Sequence, residues 1–202
     1  FYHQILIFRM NEIKATVFGD GAVGKTTLIS QITGNNLNDD GQQMFFSGQY
    51  ETKFYMNGVR RSLVLFDGVA TKPTDADVCL LCYSTISPVS FDNIQKWLDK
   101  ARALNTKAPL LLIATKSDLR DGDQTILQRL KAKGLEPIPT KQGKELAKEI
   151  GAFSFVEIGS LDVENAQAQS CVDAVVNSMI EAIKHPNKKF STKSTKRQCT
   201  VL

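Results

Sequence analysis

Histidine and cysteine are scarce in this sequence. Two histidines and four cysteines among 202 residues are too few and too scattered to make a clustered set of metal ligands. Cys79 and Cys82 form a Cys-x-x-Cys, but they lie in the apolar run Asp77–Tyr83 and no second pair answers them. They read as buried strand residues, and a metal site is not expected. Cys171 and Cys199 stand apart. This usage fits a reducing cytosol rather than a disulfide-stapled secreted chain. Long apolar runs are also missing: no stretch reaches the ~18 residues that a membrane span requires. Residues 1–9 are apolar but too short to span, and no small-residue cleavage site follows them. Acidic residues are missing from the tail, where Lys184, Lys188, Lys189, Lys193, Lys196 and Arg197 meet no Asp or Glu.

What is present describes a globular chain long enough for one domain with a sizeable core. The most informative stretch is Gly19-Asp20-Gly21-Ala22-Val23-Gly24-Lys25-Thr26. A Gly-x-x-x-x-Gly-Lys-Thr loop bends tightly enough to point several backbone N–H groups at a phosphate chain. Gly24 keeps side chains out of the way, Lys25 reaches the outer phosphate oxygens, and the Thr26 hydroxyl can ligate Mg²⁺. Glu12–Phe18 alternates like a strand entering the loop. Lys25–Ile32, with Thr27 beside Thr26, continues as a helix whose N-terminus faces the phosphates.

Further along, strand and helix patterns alternate. Strands are expected at Lys53–Met56, Ser62–Phe66, Val78–Tyr83, Leu110–Thr115 and Ser154–Ile158, the first two joined through an Asn57-Gly58 hairpin turn. Helices are expected at Ser90–Leu104, Thr140–Ile150 and about Gln169–Lys184, with Ser90 and Thr140 as caps. That order implies an α/β fold with a mainly parallel sheet, helices on both faces, and ligands at the carboxyl ends of the strands.

At one such end lies Ala114-Thr115-Lys116-Ser117-Asp118. An Asp just past a buried strand can accept hydrogen bonds from N1–H and the 2-amino group of guanine, a donor pair that adenine lacks. The alkyl stem of Lys116 can lie along the base. Placed downstream of a phosphate loop and at a strand end, this motif points to a guanine nucleotide.

These residues together resemble the Ras-like small GTPases and, within them, the Rho/Rac group. The resemblance runs from Met10 to Leu202. Gly19–Thr26 resembles the family's phosphate loop, and Thr115–Asp118 with Leu119-Arg120-Asp121 resembles the Rho form of its guanine motif. Asp123–Gly134 resembles the extra helix that sets Rho proteins apart, and Pro137–Thr140 and Gly143–Ala152 continue the match. The implied fold is a P-loop NTPase G domain over residues 10–184, with a six-stranded, mostly parallel sheet and the insert helix at about 123–134. The implied ligands are GTP or GDP with Mg²⁺. Met10 resembles the family's usual start, so residues 1–9 are expected to be non-native or mis-assigned upstream sequence. Residues 185–202 read as a basic tail ending in Cys199-Thr200-Val201-Leu202, a Cys-a-a-X whose final Leu favours geranylgeranylation at Cys199. The basic residues supply the second signal that stable anchoring needs. They would otherwise read as a solvated tail or a nucleic-acid arm; the lipidation motif selects an anionic membrane over nucleic acid. The implied protein is a monomer at the cytoplasmic face of a membrane, with a cytosolic pool and with Rho-type regulators and effectors.

Several family positions are altered. The second switch, Asp-x-x-Gly-Gln in the family, reads Asp67-Gly68-Val69-Ala70-Thr71 here. Asp67, which would contact Mg²⁺ through water, survives. Ala70 replaces the Gly whose N–H holds the γ-phosphate, and Thr71 stands where a Gln orients the attacking water. No catalytic residue is therefore assigned. The Thr of the first switch would fall near Met44 or Phe45, yet no Thr occurs between Thr33 and Thr52, where Ser47 and Tyr50 are the hydroxyls. No aromatic stands near Leu37 or Asn38 to flank the base, and Asn35–Gln43 reads as a polar loop. The guanine-capping loop becomes Glu157-Ile158-Gly159-Ser160, where the N–H near Ser160 can still meet guanine O6, and Leu161–Ser170 is longer and more polar than in the family. The leading expectation is a Rho-like guanine-nucleotide-binding protein with slow hydrolysis and fast exchange. Its rivals are a working switch with compensated residues, a nucleotide-indifferent interaction module, and an ATP-dependent phosphotransferase, against which Asp118 argues.

Overall fold

A computed structural model describes residues 12–33, 48–56, 59–68, 75–104, 107–159 and 166–186. The elements in chain order are β1 (Glu12–Gly19), α1 (Lys25–Ile32), β2 (Gln49–Met56), β3 (Val59–Asp67), β4 (Val78–Ser84), α2 (Pro88–Asp92) and α3 (Ile94–Leu104). They continue as β5 (Leu110–Thr115), α4 (Ser117–Gly122), α5 (Gln124–Ala132), α6 (Thr140–Glu149), β6 (Ser154–Glu157) and α7 (Ala166–Lys184). The six strands form one sheet in the order β2-β3-β1-β4-β5-β6. Only β2 runs antiparallel, pairing with β3 from Gln49 opposite Phe66 to Met56 opposite Val59.

The sheet is buried on both faces, and the period of two along each strand divides its side chains between them. On one face Ile13, Ala15 and Val17 of β1, Val78, Leu80 and Cys82 of β4, and Leu111 and Ile113 of β5 pack beneath α1 and α7. On the other, Cys79, Leu81 and Tyr83 alternate with Leu110, Leu112 and Ala114 beneath α3 and α6. Cys79 and Cys82 are therefore core residues pointing to opposite faces, as the odd spacing of three residues along a strand requires. A fully buried aliphatic or aromatic side chain contributes about 1.5–3 kcal/mol relative to exposure, so these two layers supply most of what holds the sheet.

Several boundaries differ from the sequence reading. β2 begins at Gln49 rather than Lys53, because its register with β3 continues along the whole strand. Its Glu51 and Lys53 are exposed while Tyr50 and Phe54 meet the core, so polar residues mask the pattern. The Asn57-Gly58 turn lies outside the described residues. The long helix expected from Ser90 is two helices meeting at Asn93, and its cap is Ser87, whose side chain accepts from Ser90 N–H. Pro88 explains the earlier start: its fixed φ suits the first helical position. Thr140 does not cap α6 either. Pro139 holds the cap position, and the Thr140 hydroxyl donates to Glu157 Oε2 at 2.7 Å. A helix, α5, occupies the stretch where the insert was expected, with the Asp123 carboxylate accepting from Ile126 N–H at 3.0 Å. The short helix α4 had no counterpart in the sequence reading. Residues 1–11, 34–47, 69–74 and 187–202 lie outside the described residues, and with them the first switch, Ala70, Thr71 and Cys199.

Candidate functional site

Because β3, β1, β4, β5 and β6 are mutually parallel, their carboxyl ends share one edge of the sheet. In register, Val17 lies beside Asp67, Gly19 beside Cys82, Ser84 beside Thr115, and Ala114 beside Glu157. The edge thus collects Gly19–Thr26, Asp67, Thr115–Asp118 and Gly159 from segments far apart in sequence.

The phosphate loop leaves β1 at Gly19, whose φ is +150°. A Cβ there would overlap the Cys82 carbonyl, so the loop can turn this close to β4 only with glycine. Gly24, at φ +100°, is the N-cap of α1, and its carbonyl accepts from Leu28 N–H at 2.9 Å. Lys25 is 8% exposed, an unusual position for a lysine. Its ammonium donates to the carbonyls of Gly19 at 3.0 Å and Asp20 at 2.7 Å. Those two bonds leave one of its three N–H donors for an outer ligand. Thr26 and Thr27 are exposed on the first turn of α1, where N–H groups and the helix dipole favour an anion. Behind the loop, burial pushes the Cys82 thiol up to about 12, with Lys25 pulling the other way.

The loop after β5 is tied to the loop after β1. Lys116 sits at φ +59°, a left-handed conformation. Its ammonium donates to the Ala22 carbonyl at 2.8 Å, and its own carbonyl accepts from the Thr85 hydroxyl at 2.8 Å. The buried Thr115 hydroxyl reaches the carbonyls of both Val23 and Tyr83. Ser117 N–H donates to the Ile158 carbonyl at 3.1 Å, which brings the loop after β6 alongside. Gly159 then packs on Asp118, where a Cβ would come within 3.4 Å of the Asp118 Cβ. Among the described residues, no hydrogen bond or ion pair engages the Asp118 carboxylate, which is half-buried in the first turn of α4. Ser160 lies outside the described residues.

Beneath this loop, Arg120 Nη1 meets Glu157 Oε1 at 2.6 Å, with side chains only 11% and 7% exposed. Arg120 also holds both carboxylate oxygens of Asp121 and reaches the Ile138 carbonyl. Bonding to Asp121 and then to Glu157 raises the guanidinium pKa further above its ordinary value, so the ion persists at any working pH. At the far side, Asp67 ends β3, and its N–H donates to Gly48. Next to it a Cβ at Gly68 would overlap the Phe18 ring. Burial, and then the Asp67 charge, raise the Tyr50 hydroxyl above its ordinary pKa.

A family model, the Ras family, matches residues 14–185. The chain belongs to the Ras family. It is a small GTP-binding protein with a Ras-type G domain. The residues fit such a ligand: one Lys25 N–H and the exposed start of α1 for phosphates, and an Asp118 carboxylate unengaged among the described residues for a base with two donors. Thr26 and Asp67 are the residues that would hold Mg²⁺, which supplies charge neutralisation on the phosphate oxygens.

Four contributors escaped the sequence reading. Thr85 fixes Lys116, and Asn93 and Trp97 both donate to the Asp20 carboxylate. Glu157, at the end of β6, anchors Arg120. No spacing rule joins Asp20 to Trp97 across 77 residues; the one available signal was that Trp97 is the chain's single tryptophan.

Proposed function

We propose that this Ras-family protein is a Rho-like, membrane-associated signalling protein that binds GTP and GDP with Mg²⁺, hydrolyses GTP slowly and exchanges nucleotide quickly. The observation that carries the reading is a division within one site. The half assigned to binding keeps its residues in place, with Lys25 on Gly19 and Asp20, Lys116 on Ala22, and Asp118 unengaged among the described residues. The switching half lacks its usual chemistry: Ala70 and Thr71 replace Gly and Gln, and no Thr occurs between Thr33 and Thr52. A Thr is too short to position water as a Gln amide does, so stimulation by an activating protein's arginine, worth about 10³–10⁵ in related enzymes, would be blunted. Without a first-switch Thr on Mg²⁺ and a base-flanking aromatic, nucleotide is held by fewer contacts and the GTP/GDP conformational difference is small.

The Rho assignment is supported by Leu119-Arg120-Asp121 and by the capped helix α5 that follows. Membrane association is supported by Cys199-Thr200-Val201-Leu202 and the basic residues before it. In this reading the protein is a monomer on the cytoplasmic face of a membrane, with a cytosolic pool, and meets Rho-type regulators and effectors there.

Single-turnover GTP hydrolysis and release of labelled GDP from the purified chain test the proposal. Slow hydrolysis with rapid release is the expected result, and the double variant A70G/T71Q should hydrolyse faster than the parent. Hydrolysis at the pace of ordinary family members would show a working switch. Failure to bind nucleotide would favour an interaction module indifferent to it.

A further inference from the structure

The phosphate loop offers its neighbours few handles. Between Gly19 and Gly24 the one charged side chain is Asp20, and it is held at both ends. Its carbonyl accepts from Lys25 Nζ at 2.7 Å. Its carboxylate receives two further donors, Asn93 Nδ2 on Oδ2 at 2.7 Å and Trp97 Nε1 on Oδ1 at 2.7 Å. Asn93 and Trp97 are four residues apart, hence on one face of the helical segment, and each is fixed. Asn93 ends α2, with its N–H bonded to the Val89 carbonyl at 3.0 Å, and Trp97 N–H donates to the Asn93 carbonyl at 3.3 Å. The Trp97 ring is 9% exposed and lies 6.4 Å from the Phe18 ring, with Lys96 and Lys100 over its face at 5.7 and 5.2 Å. An indole N–H can only donate, and it finds an ionised acceptor, the stronger kind of hydrogen bond.

We propose that Asn93 and Trp97 are positioning residues that set how long this protein retains its nucleotide. By holding the Asp20 side chain they fix the Asp20 carbonyl, and that carbonyl aims the Lys25 ammonium so that its third N–H faces the phosphates. Loosening the pair lets the carbonyl swing and Lys25 follow it. The path from α3 to the phosphates is therefore three bonds long: indole to carboxylate, carbonyl to ammonium, ammonium to phosphate. The inference rests on the guanine-nucleotide reading of the site.

The test is a chase experiment on the full chain carrying Mg²⁺ and N-methylanthraniloyl-GDP, with excess GDP added and release followed by fluorescence. W97F keeps the packed ring and removes the donor; N93A removes the other donor; D20A removes the acceptor. Each should speed release roughly tenfold, the scale of one lost charge-assisted bond. In the D20A background, W97F should add less than about twofold, because its partner is already gone. Trp97 emission should also shift when EDTA strips the nucleotide from the parent protein, a signature that a merely structural tryptophan would not give. Parent-like release from W97F and N93A, or effects that multiply in the D20A/W97F double variant, overturn the proposal. A parent chain that binds no N-methylanthraniloyl-GDP overturns the nucleotide reading and this inference with it, and is told apart by that first measurement. If W97F does not fold, the N93A and D20A arms decide alone.

Discussion

Lys116 donates from its ammonium to the carbonyl of Ala22 at 2.8 Å, and these are the two non-glycine residues, among those described, whose backbone is left-handed, φ being 59° at both. A left-handed conformation costs a non-glycine residue about 1–2 kcal/mol, so two such residues persist because the surrounding bonds hold them. The consequence is that the loops after β1 and β5 are held as one body. Lys116→Met keeps the alkyl stem and removes the ammonium. It should raise the GDP dissociation rate by roughly tenfold through one lost bond to a backbone carbonyl. Ala22→Gly should leave the melting temperature nearly unchanged, since relief of strain and extra chain entropy oppose each other. A nucleotide chase and a thermal melt check the two.

The proposed reading assigns base selectivity to Asp118. Asp118→Ala removes the acceptor for two donors, each worth about 1.5–3 kcal/mol to a charged partner. Guanine-nucleotide affinity should fall by about 10²–10⁴ and the preference over ATP should vanish. Competition titration with GDP and ATP measures both; a variant that keeps its preference for guanine would remove Asp118 from the site.

Gly143 lies inside α6, where alanine normally gains about 1 kcal/mol. Here a Cβ would overlap the Tyr83 hydroxyl and the Phe155 ring, both buried. Overpacking of this kind costs about 1–3 kcal/mol, so Gly143→Ala should lower the melting temperature by several degrees, at roughly 2–4 °C per kcal/mol. A rise would show that α6 has room to move.

Cys79 and Cys82 should resist alkylation in the folded protein at pH 8, since burial pushes their thiols up to about 11 and about 12. The same shifts act on stability. Below pH 9 both states keep the thiols neutral and nothing is lost. Above it the unfolded chain ionises first, so stability declines as pH rises toward 11 and 12, by at most about 1.4 kcal/mol per pH unit per thiol. Burial raises the Tyr83 hydroxyl as well, in the same direction. Denaturant unfolding at a series of alkaline pH values checks the slope, which a Cys79→Ala/Cys82→Ala variant should flatten.

Among the described residues no helix is long and apolar enough to cross a membrane; the proposed attachment is the one at the tail. Cys199→Ser should move the protein from the membrane to the soluble fraction in cells. The six basic residues alone, about 1 kcal/mol each at an anionic surface, should leave only an association that salt removes. Fractionation at low and high ionic strength reads the outcome; undiminished, salt-resistant membrane binding of the variant would rule out a lipid at Cys199.

Much of this was legible in the chain because the signals are local. Gly19–Thr26 and Thr115–Asp118 each carry their chemistry within a few residues, and the buried strands β4 and β5 are continuous apolar runs. What was not legible depends on partners distant in sequence. The Asp20 carboxylate is an unremarkable acid until Asn93 and Trp97 are brought to it from the start of α3. Thr140 looked like a cap, but Glu157 takes its hydroxyl. Half of β2 is hidden in the sequence because one of its faces is solvated, so that Glu51 and Lys53 dilute a pattern that only pairing with β3 completes. The cap lies one turn ahead of Ser90, at Ser87, because Pro88 starts α2 early.

The place of β1 in the sheet bears on how the protein is made. β1 is the first described strand to be synthesised, yet it sits between β3 and β4, so Val17 and Phe18 stay uncovered until residues up to Ser84 have been added. The loop it carries waits longer still, because Val23 and Ala22 find their partners only at Thr115 and Lys116. A ribosome-bound chain short of that point would hold the phosphate-binding sequence without its shape, and nascent chains lengthened past it should gain nucleotide binding abruptly rather than by degrees.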